Sequence, residues 1–119
     1  MNSNEVRRGN YVEFEGNYYK IETIAEIYPA LDTAAFGIGV VDWNNINGIP
    51  LSEEILLKCG FESNPYKDCY EYKNFVDVEC DKTKGFTDLW IAKYPHIKNF
   101  HQLQNLYFAL TNQELKVNL

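Results

Sequence analysis

Ile49-Pro50-Leu51-Ser52-Glu53-Glu54-Ile55-Leu56-Leu57-Lys58-Cys59-Gly60-Phe61 is the stretch on which the reading of this chain turns. Ser52 has the chemistry of a helix N-cap, Glu53 and Glu54 fall in the first turn where the helix dipole favours acids, and Gly60 is placed to end the helix in a left-handed conformation. A short helix over 53–59 follows, with Ile55, Leu56, Cys59 and Phe61 turned inward. On both sides of it the pattern changes to that of strands.

Before the helix, Tyr11-Val12-Glu13-Phe14 and Tyr18-Tyr19-Lys20-Ile21-Glu22-Thr23-Ile24 alternate as half-buried strands do. A two-residue turn at Gly16-Asn17 would set Phe14 against Tyr19 and Val12 against Ile21. Tyr28-Pro29-Ala30-Leu31-Asp32-Thr33 reads as a loop, because proline interrupts a ladder. Phe36-Gly37-Ile38-Gly39-Val40-Val41-Asp42 is a third strand, Trp43-Asn44-Asn45-Ile46 a single helical turn, and Gly48-Ile49-Pro50-Leu51 an extended exit. Short curved strands closed by one tight turn and a last extended piece make the plan of a small SH3-like β-barrel over 7–51. Residues 1–6 are polar and read as a disordered tail.

After the helix, Asn64-Pro65 is a break, and Cys69-Tyr70-Glu71-Tyr72 and Phe75-Val76-Asp77-Val78-Glu79-Cys80 are strands. The second sets Val76, Val78 and Cys80 opposite Asp77 and Glu79. A turn over 81–85 and a third strand over Thr87-Asp88-Leu89-Trp90-Ile91-Ala92 complete an antiparallel meander. Asn99 caps a last helix, with Gln102 in the capping-box position. Leu103, Leu106, Tyr107 and Leu110 then form an apolar stripe, and Glu114-Leu115-Lys116-Val117 suggests an edge strand. The expected class is α+β: barrel, helix, meander and C-terminal amphipathic helix, with 52–119 sharing one core with the barrel.

The 119 residues are 45% hydrophobic and 15% aromatic, enough to offset the entropy of ordering one domain. No apolar run reaches the length of a spanning helix, and Met1-Asn2-Ser3-Asn4-Glu5 lacks a signal peptide's apolar core, so a cytoplasmic protein with no membrane partner is expected. Cys59, Cys69 and Cys80 are odd in number and form no Cys-x-x-Cys pair, which fits buried, reduced thiols. The net charge of −6 is spread unevenly: −4 over 1–51, −4 over 52–92 and +2 over 93–119. An acidic body repels phosphate backbones, so direct binding to nucleic acid is disfavoured.

No constellation for catalysis emerges. His96 and His101 are five apart and Pro95 separates His96 from the last helix, which argues against a zinc pair and for His101 as a polar residue at a helix N-terminus. Ser52 is used as a cap, and Ser63 has no histidine near it in sequence. Cys59 sits on an apolar helix face, where burial makes a poor nucleophile. Gly37-Ile38-Gly39 leads into no helix, so it is no phosphate loop. No enzyme, no cofactor and no metal are expected.

Binding is the remaining signal. Asp77, Glu79 and Asp81 alternate along a strand, putting their carboxylates on one face about 7 Å apart. Tyrosines are abundant, nine in all, and tyrosine buries a large rigid ring while keeping a polar tip. Asp77, Glu79, Asp81, Tyr70, Tyr72 and Tyr18 are the residues expected to meet a partner. A pocket in which Arg7, Arg8, Lys93 or Lys98 faces aromatic rings would instead suit a signalling nucleotide, and the SH3-like start alone suggests a nucleic-acid module.

Arg8-Gly9-Asn10-Tyr11-Val12, the 49–61 stretch and His101-Gln102-Leu103-Gln104-Asn105-Leu106-Tyr107-Phe108-Ala109-Leu110-Thr111, in that order, resemble an uncharacterised family of small phage and prophage proteins of the Bacteroides and Flavobacterium group. The resemblance implies a viral accessory protein acting in the host cytoplasm and brings no active site with it. Small acidic phage proteins without catalytic motifs often inhibit host defence systems, CRISPR-type nucleases included. The expected partner is accordingly a host protein.

Overall fold

The computed structural model describes residues 1, 5–23, 30–33, 37–40, 43–73, 75–81 and 89–119. It is α+β, with two antiparallel sheets and one long helix. The chain divides into two units, Met1–Ile49 with Asn99–Leu106, and Pro50–Lys98 with Tyr107–Leu119.

In the first unit, β1 (Tyr11–Phe14), β2 (Asn17–Thr23), β3 (Ala30–Thr33), β4 (Gly37–Val40) and β5 (Ile46–Asn47) form a sheet in the order β4-β3-β2-β1-β5. A 3-10 turn at Trp43–Asn45 leads into β5. Among the described residues no pairing joins β4 to β5, so the expected barrel is not closed there. Ala30–Thr33 belongs to the ladder and is not the loop the proline suggested: its partners are Lys20, Ile21 and Thr23 on one side and Gly37 to Val40 on the other. Pro29, like Tyr28, lies outside the described residues. Backbone donors and acceptors from Ala30 onward are intact, so a preceding proline need not prevent a strand.

The hairpin turn is Glu15-Gly16, one residue earlier than the sequence suggested. Glu15 has φ 51° and Gly16 φ 79°, the pair of positive values that a type I′ turn demands. Phe14 therefore faces Asn17, Val12 faces Tyr19 and Tyr11 faces Lys20. Moving a two-residue turn by one position shifts each partner by two, which leaves every side chain on its face. Hydrophobic alternation therefore cannot choose between the two registers, and turn chemistry does.

Val6, Val12, Ile21, Trp43 and Ile46 form the buried core of this unit, with Met1, Phe14 and Tyr19 packed against it. Val6 is 7% exposed, and the Met1 ammonium donates to the Trp43 carbonyl at 3.3 Å. Within the segment expected as a tail over 1–6, Val6 supplies apolar surface to this core and Met1 bonds to Trp43.

The helix α2 (Phe100–Thr111) begins in this unit. The Asn99 N–H donates to Gln102 Oε1 at 2.9 Å, one arm of the expected capping box. Gln104 accepts from the Tyr11 N–H at 2.9 Å and donates to the Gly9 carbonyl at 3.3 Å. Asn105 Oδ1 accepts from Arg7 Nε and Asn10 Nδ2 at 3.0 and 2.9 Å. Asn10 and Gln104 are buried polar groups, and these bonds satisfy them, as burial requires. Arg7, Gly9, Asn10 and Tyr11 meet Gln104 and Asn105, far apart in sequence, in one polar seam.

In the second unit, α1 (Glu53–Lys58) is capped by Ser52, whose Oγ accepts from the Ile55 N–H at 3.3 Å. Gly60 takes φ 96°, as its C-terminal position requires. Ile55, Leu56, Cys59 and Phe61 are buried. The meander is β6 (Glu62–Ser63), β7 (Cys69–Glu71), β8 (Val78–Cys80) and β9 (Leu89–Trp90), paired in chain order. Phe61 stacks on Tyr72 at 5.1 Å, and Tyr107 meets Phe75 at 5.0 Å and Tyr72 at 5.8 Å.

Two expectations for the C-terminus fail. Leu110 is 52% exposed, so the stripe of α2 ends at Tyr107. Its buried positions are Phe100, His101, Leu103, Gln104 and Tyr107, a helical-period face that includes a hydrogen-bonded amide and an imidazole. No strand forms over 114–117: Leu115 is buried, and the Asn118 N–H donates to the Lys58 carbonyl at 3.1 Å.

Candidate partner-binding face

The meander is two-faced, as an antiparallel sheet with one solvated side must be. Tyr70 pairs with Val78, and Cys80 with Leu89, on the side that holds buried Tyr70, Val78 and Cys80. On the other side Glu62 is opposite Glu71, Glu79 is opposite Cys69, and Trp90 is opposite Glu79. Asp77, two residues before Glu79, is exposed on this side. Trp90 is 43% exposed.

Charges on this face are crowded with their own kind. One carboxylate oxygen of Glu71, one of Asp77 and the Cys69 Sγ lie within 4.8 Å of one another. The Asn64 side-chain amide donates to Glu71 Oε1 at 2.6 Å and fixes that carboxylate. Cys69 is buried, its Sγ 3.9 Å from the same oxygen. Burial first, and then the charges of Asp77, Glu71 and Glu79, push its thiol above the usual range, with Lys67 opposing. Among the described residues, Glu62, Asp77 and Glu79 make no ion pair. Asp77 and Glu79 also border a cavity of about 300 Å³, together with Phe75, Val76, Ile91 and the cation Lys93.

The six residues singled out from the sequence separate on this structure. Asp77 and Glu79 are on the acidic face, exposed and partly exposed. Asp81 follows β8, is partly exposed and has interactions of its own. Tyr18 is 47% exposed in the first unit, next to the β1–β2 turn. Tyr72 is partly buried among Phe61 and Tyr107, with the Lys73 ammonium 5.0 Å from its ring centre. Tyr70 corrects the expectation: it is 0% exposed and its hydroxyl is pushed up to about 12, by burial and then by Glu53. It holds the sheet to the interior and offers a partner nothing. Alternation could have shown this, since Tyr70 has the opposite parity to Cys69 and Glu71.

Trp90 was missed. Its signal was its place beside Leu89 in a two-faced strand, with the apolar face already assigned to Val78 and Cys80. Tyr66, in the turn before β7, is 93% exposed. Of the cations suggested for a nucleotide pocket, Arg7 is bound to Asn105 and Arg8 pairs with Glu22 at 3.9 Å in the first unit, while in the second Lys98 is exposed and Lys93, also exposed, lines the cavity with Phe75, Asp77 and Glu79. His96 is exposed in the second unit. His101, in the first, is 1% exposed. No helix among the described residues is long and apolar enough to cross a membrane. Comparison with protein-family models, with curated proteins and with solved structures found no match.

Proposed function

We propose that the chain is a non-catalytic phage accessory protein that binds a host protein and blocks it, using the outer face of the meander. The observation that carries this reading is the carboxylate row Glu62, Glu71 and Asp77 beside exposed Trp90. Like charges placed opposite one another across a sheet are destabilising, and a partner's cations would offset that cost. An exposed tryptophan in the next register position supplies the large rigid anchor typical of interface hot spots.

We read the first unit as SH3-like. The order β4-β3-β2-β1-β5, with a 3-10 turn entering the last strand, supports that connectivity. The phage resemblance sets the scene in the host cytoplasm and makes a defence nuclease the first partner class to try.

Co-purification from host lysate tests the reading, with wild type compared against the double variant Asp77→Lys, Glu79→Lys. A partner retained by the first and lost by the second, and whose activity falls when the wild-type chain is added, is the expected result. A folded bait that captures nothing, or capture indifferent to the charge reversal, removes it.

A further inference from the structure

Strands β8 and β9 part at one end of the meander, and the gap between them is a site that the partner-facing row does not explain. We infer that this gap binds a free α-amino acid with an apolar side chain, an inference that does not depend on the protein-binding reading above.

The register of β8 and β9 pairs Cys80 with Leu89 and Glu79 with Trp90. The same register continued would set Asp77 against Ala92 and Val76 against Lys93. The ladder stops short of them, where a turn closed by the Tyr94 N–H on the Ile91 carbonyl at 3.0 Å carries the chain away from β8. A fork results, with residues 75–77 on one arm and 91–93 on the other, and the cavity of about 300 Å³ lies between them. Sites for small molecules run from roughly 300 to 1,000 Å³, so this one suits a ligand at the small end of that range.

The walls carry three kinds of surface. Phe75, Val76 and Ile91 are apolar, Asp77 and Glu79 are negative, and Lys93 is positive. Opposite charges lining one gap attract each other, yet among the described residues Asp77, Glu79 and Lys93 make no ion pair. Both signs are therefore open to a molecule seated between the arms, which must answer both while covering apolar wall. A free amino acid does so: its ammonium faces Asp77 and Glu79, its carboxylate faces Lys93, and its side chain lies on Phe75, Val76 and Ile91. Other classes meet a penalty. A simple amine or a metal cation is repelled by Lys93, and a phosphate or carboxylic acid by the two carboxylates. The interior of a peptide carries neither terminal charge.

The probe is L-phenylalanine, titrated into the full chain and followed by NMR of the Val76 and Ile91 methyl groups. Two analogues each lack one charge: 2-phenylethylamine has no carboxylate, and 3-phenylpropionate has no ammonium. The groups that hold the ligand are exposed, so L-phenylalanine should bind with a Kd of about 1 mM and both analogues about tenfold more weakly. Glycine, which has no side chain to lay on the apolar wall, should also bind more weakly. Lys93→Met should weaken L-phenylalanine and leave 2-phenylethylamine as tight or tighter. Asp77→Asn should weaken L-phenylalanine and leave 3-phenylpropionate as tight or tighter. Both positions are exposed, so the variants keep the fold, and a merely structural role would lower every affinity alike.

Methyl resonances that stay unmoved by L-phenylalanine up to its solubility overturn the inference. So does 2-phenylethylamine binding as tightly as L-phenylalanine, which would show attraction to negative charge alone. A Lys93→Met variant that loses the amine and the amino acid to the same extent overturns it as well.

Discussion

Glu62 lies directly opposite Glu71 in the register of β6 and β7, two acids facing each other on the exposed side of a two-residue strand pair. Repulsion at such a pair costs a few tenths of a kcal/mol up to about 1 kcal/mol. Glu62→Lys turns the pair attractive and should raise the unfolding midpoint in denaturant with an unchanged m-value. If the proposed function holds, the same variant weakens partner capture. A gain in stability with a loss of binding is the signature of a face shaped for something other than folding.

Leu103 and Leu110 sit on the same helix with opposite fates, 0% and 52% exposed. Leu103→Ala should cost about 2–5 kcal/mol through lost burial and the cavity left behind. Leu110→Ala should stay within about 0.5 kcal/mol of wild type. Equilibrium denaturation of the two variants checks the stripe, and similar losses would contradict it.

Gly48 is held by packing. A Cβ there would come within 2.7 Å of Asn99 Cγ and 3.0 Å of His101 Cε1. Gly48→Ala should therefore destabilise the protein by about 1–3 kcal/mol, the usual cost of overpacking. Thermal unfolding would show it, accompanied by a shift of the His101 ring resonances.

His101 is buried, its Nδ1 has no hydrogen-bond partner, and burial lowers its pKa despite the opposing charge of Glu5. A basic group with a depressed folded-state pKa binds protons more readily when unfolded. Its contribution is therefore fully present above the ordinary histidine value and is lost as pH falls from there through the lower folded value. Stability should decline between pH 7 and pH 5, above the range where ordinary carboxylates titrate. His101→Gln should flatten that slope in denaturant titrations.

Cys59, Cys69 and Cys80 are all buried. Burial pushes the Cys59 thiol up to about 12, and the Cys69 thiol is raised as well. Thiolate is the reactive species, so an aromatic disulfide reagent at pH 8 should leave the native protein almost unlabelled. In denaturant all three thiols should react. Rapid native labelling at Cys69 would show that the carboxylates around it do not suppress its ionisation.

Much of this protein is written in local chemistry. The caps and acids of α1, the arm of the capping box at Asn99, the 3-10 turn at Trp43–Asn45 and the two-sidedness of Val78 to Cys80 are each set within a few residues, so local reading finds them. Register, strand extent and choice of face are not local. Gly16-Asn17 and Glu15-Gly16 give the same alternation, and only backbone φ values separate them. Ala30–Thr33 becomes a strand because β2 and β4 both supply partners. Glu62 and Glu71 look like scattered solvated charges until β6 and β7 pair them and Asp77, just before β8, comes within 4.8 Å of Glu71, because hydrogen-bonded pairing converts distances along the chain into neighbours a few ångströms apart.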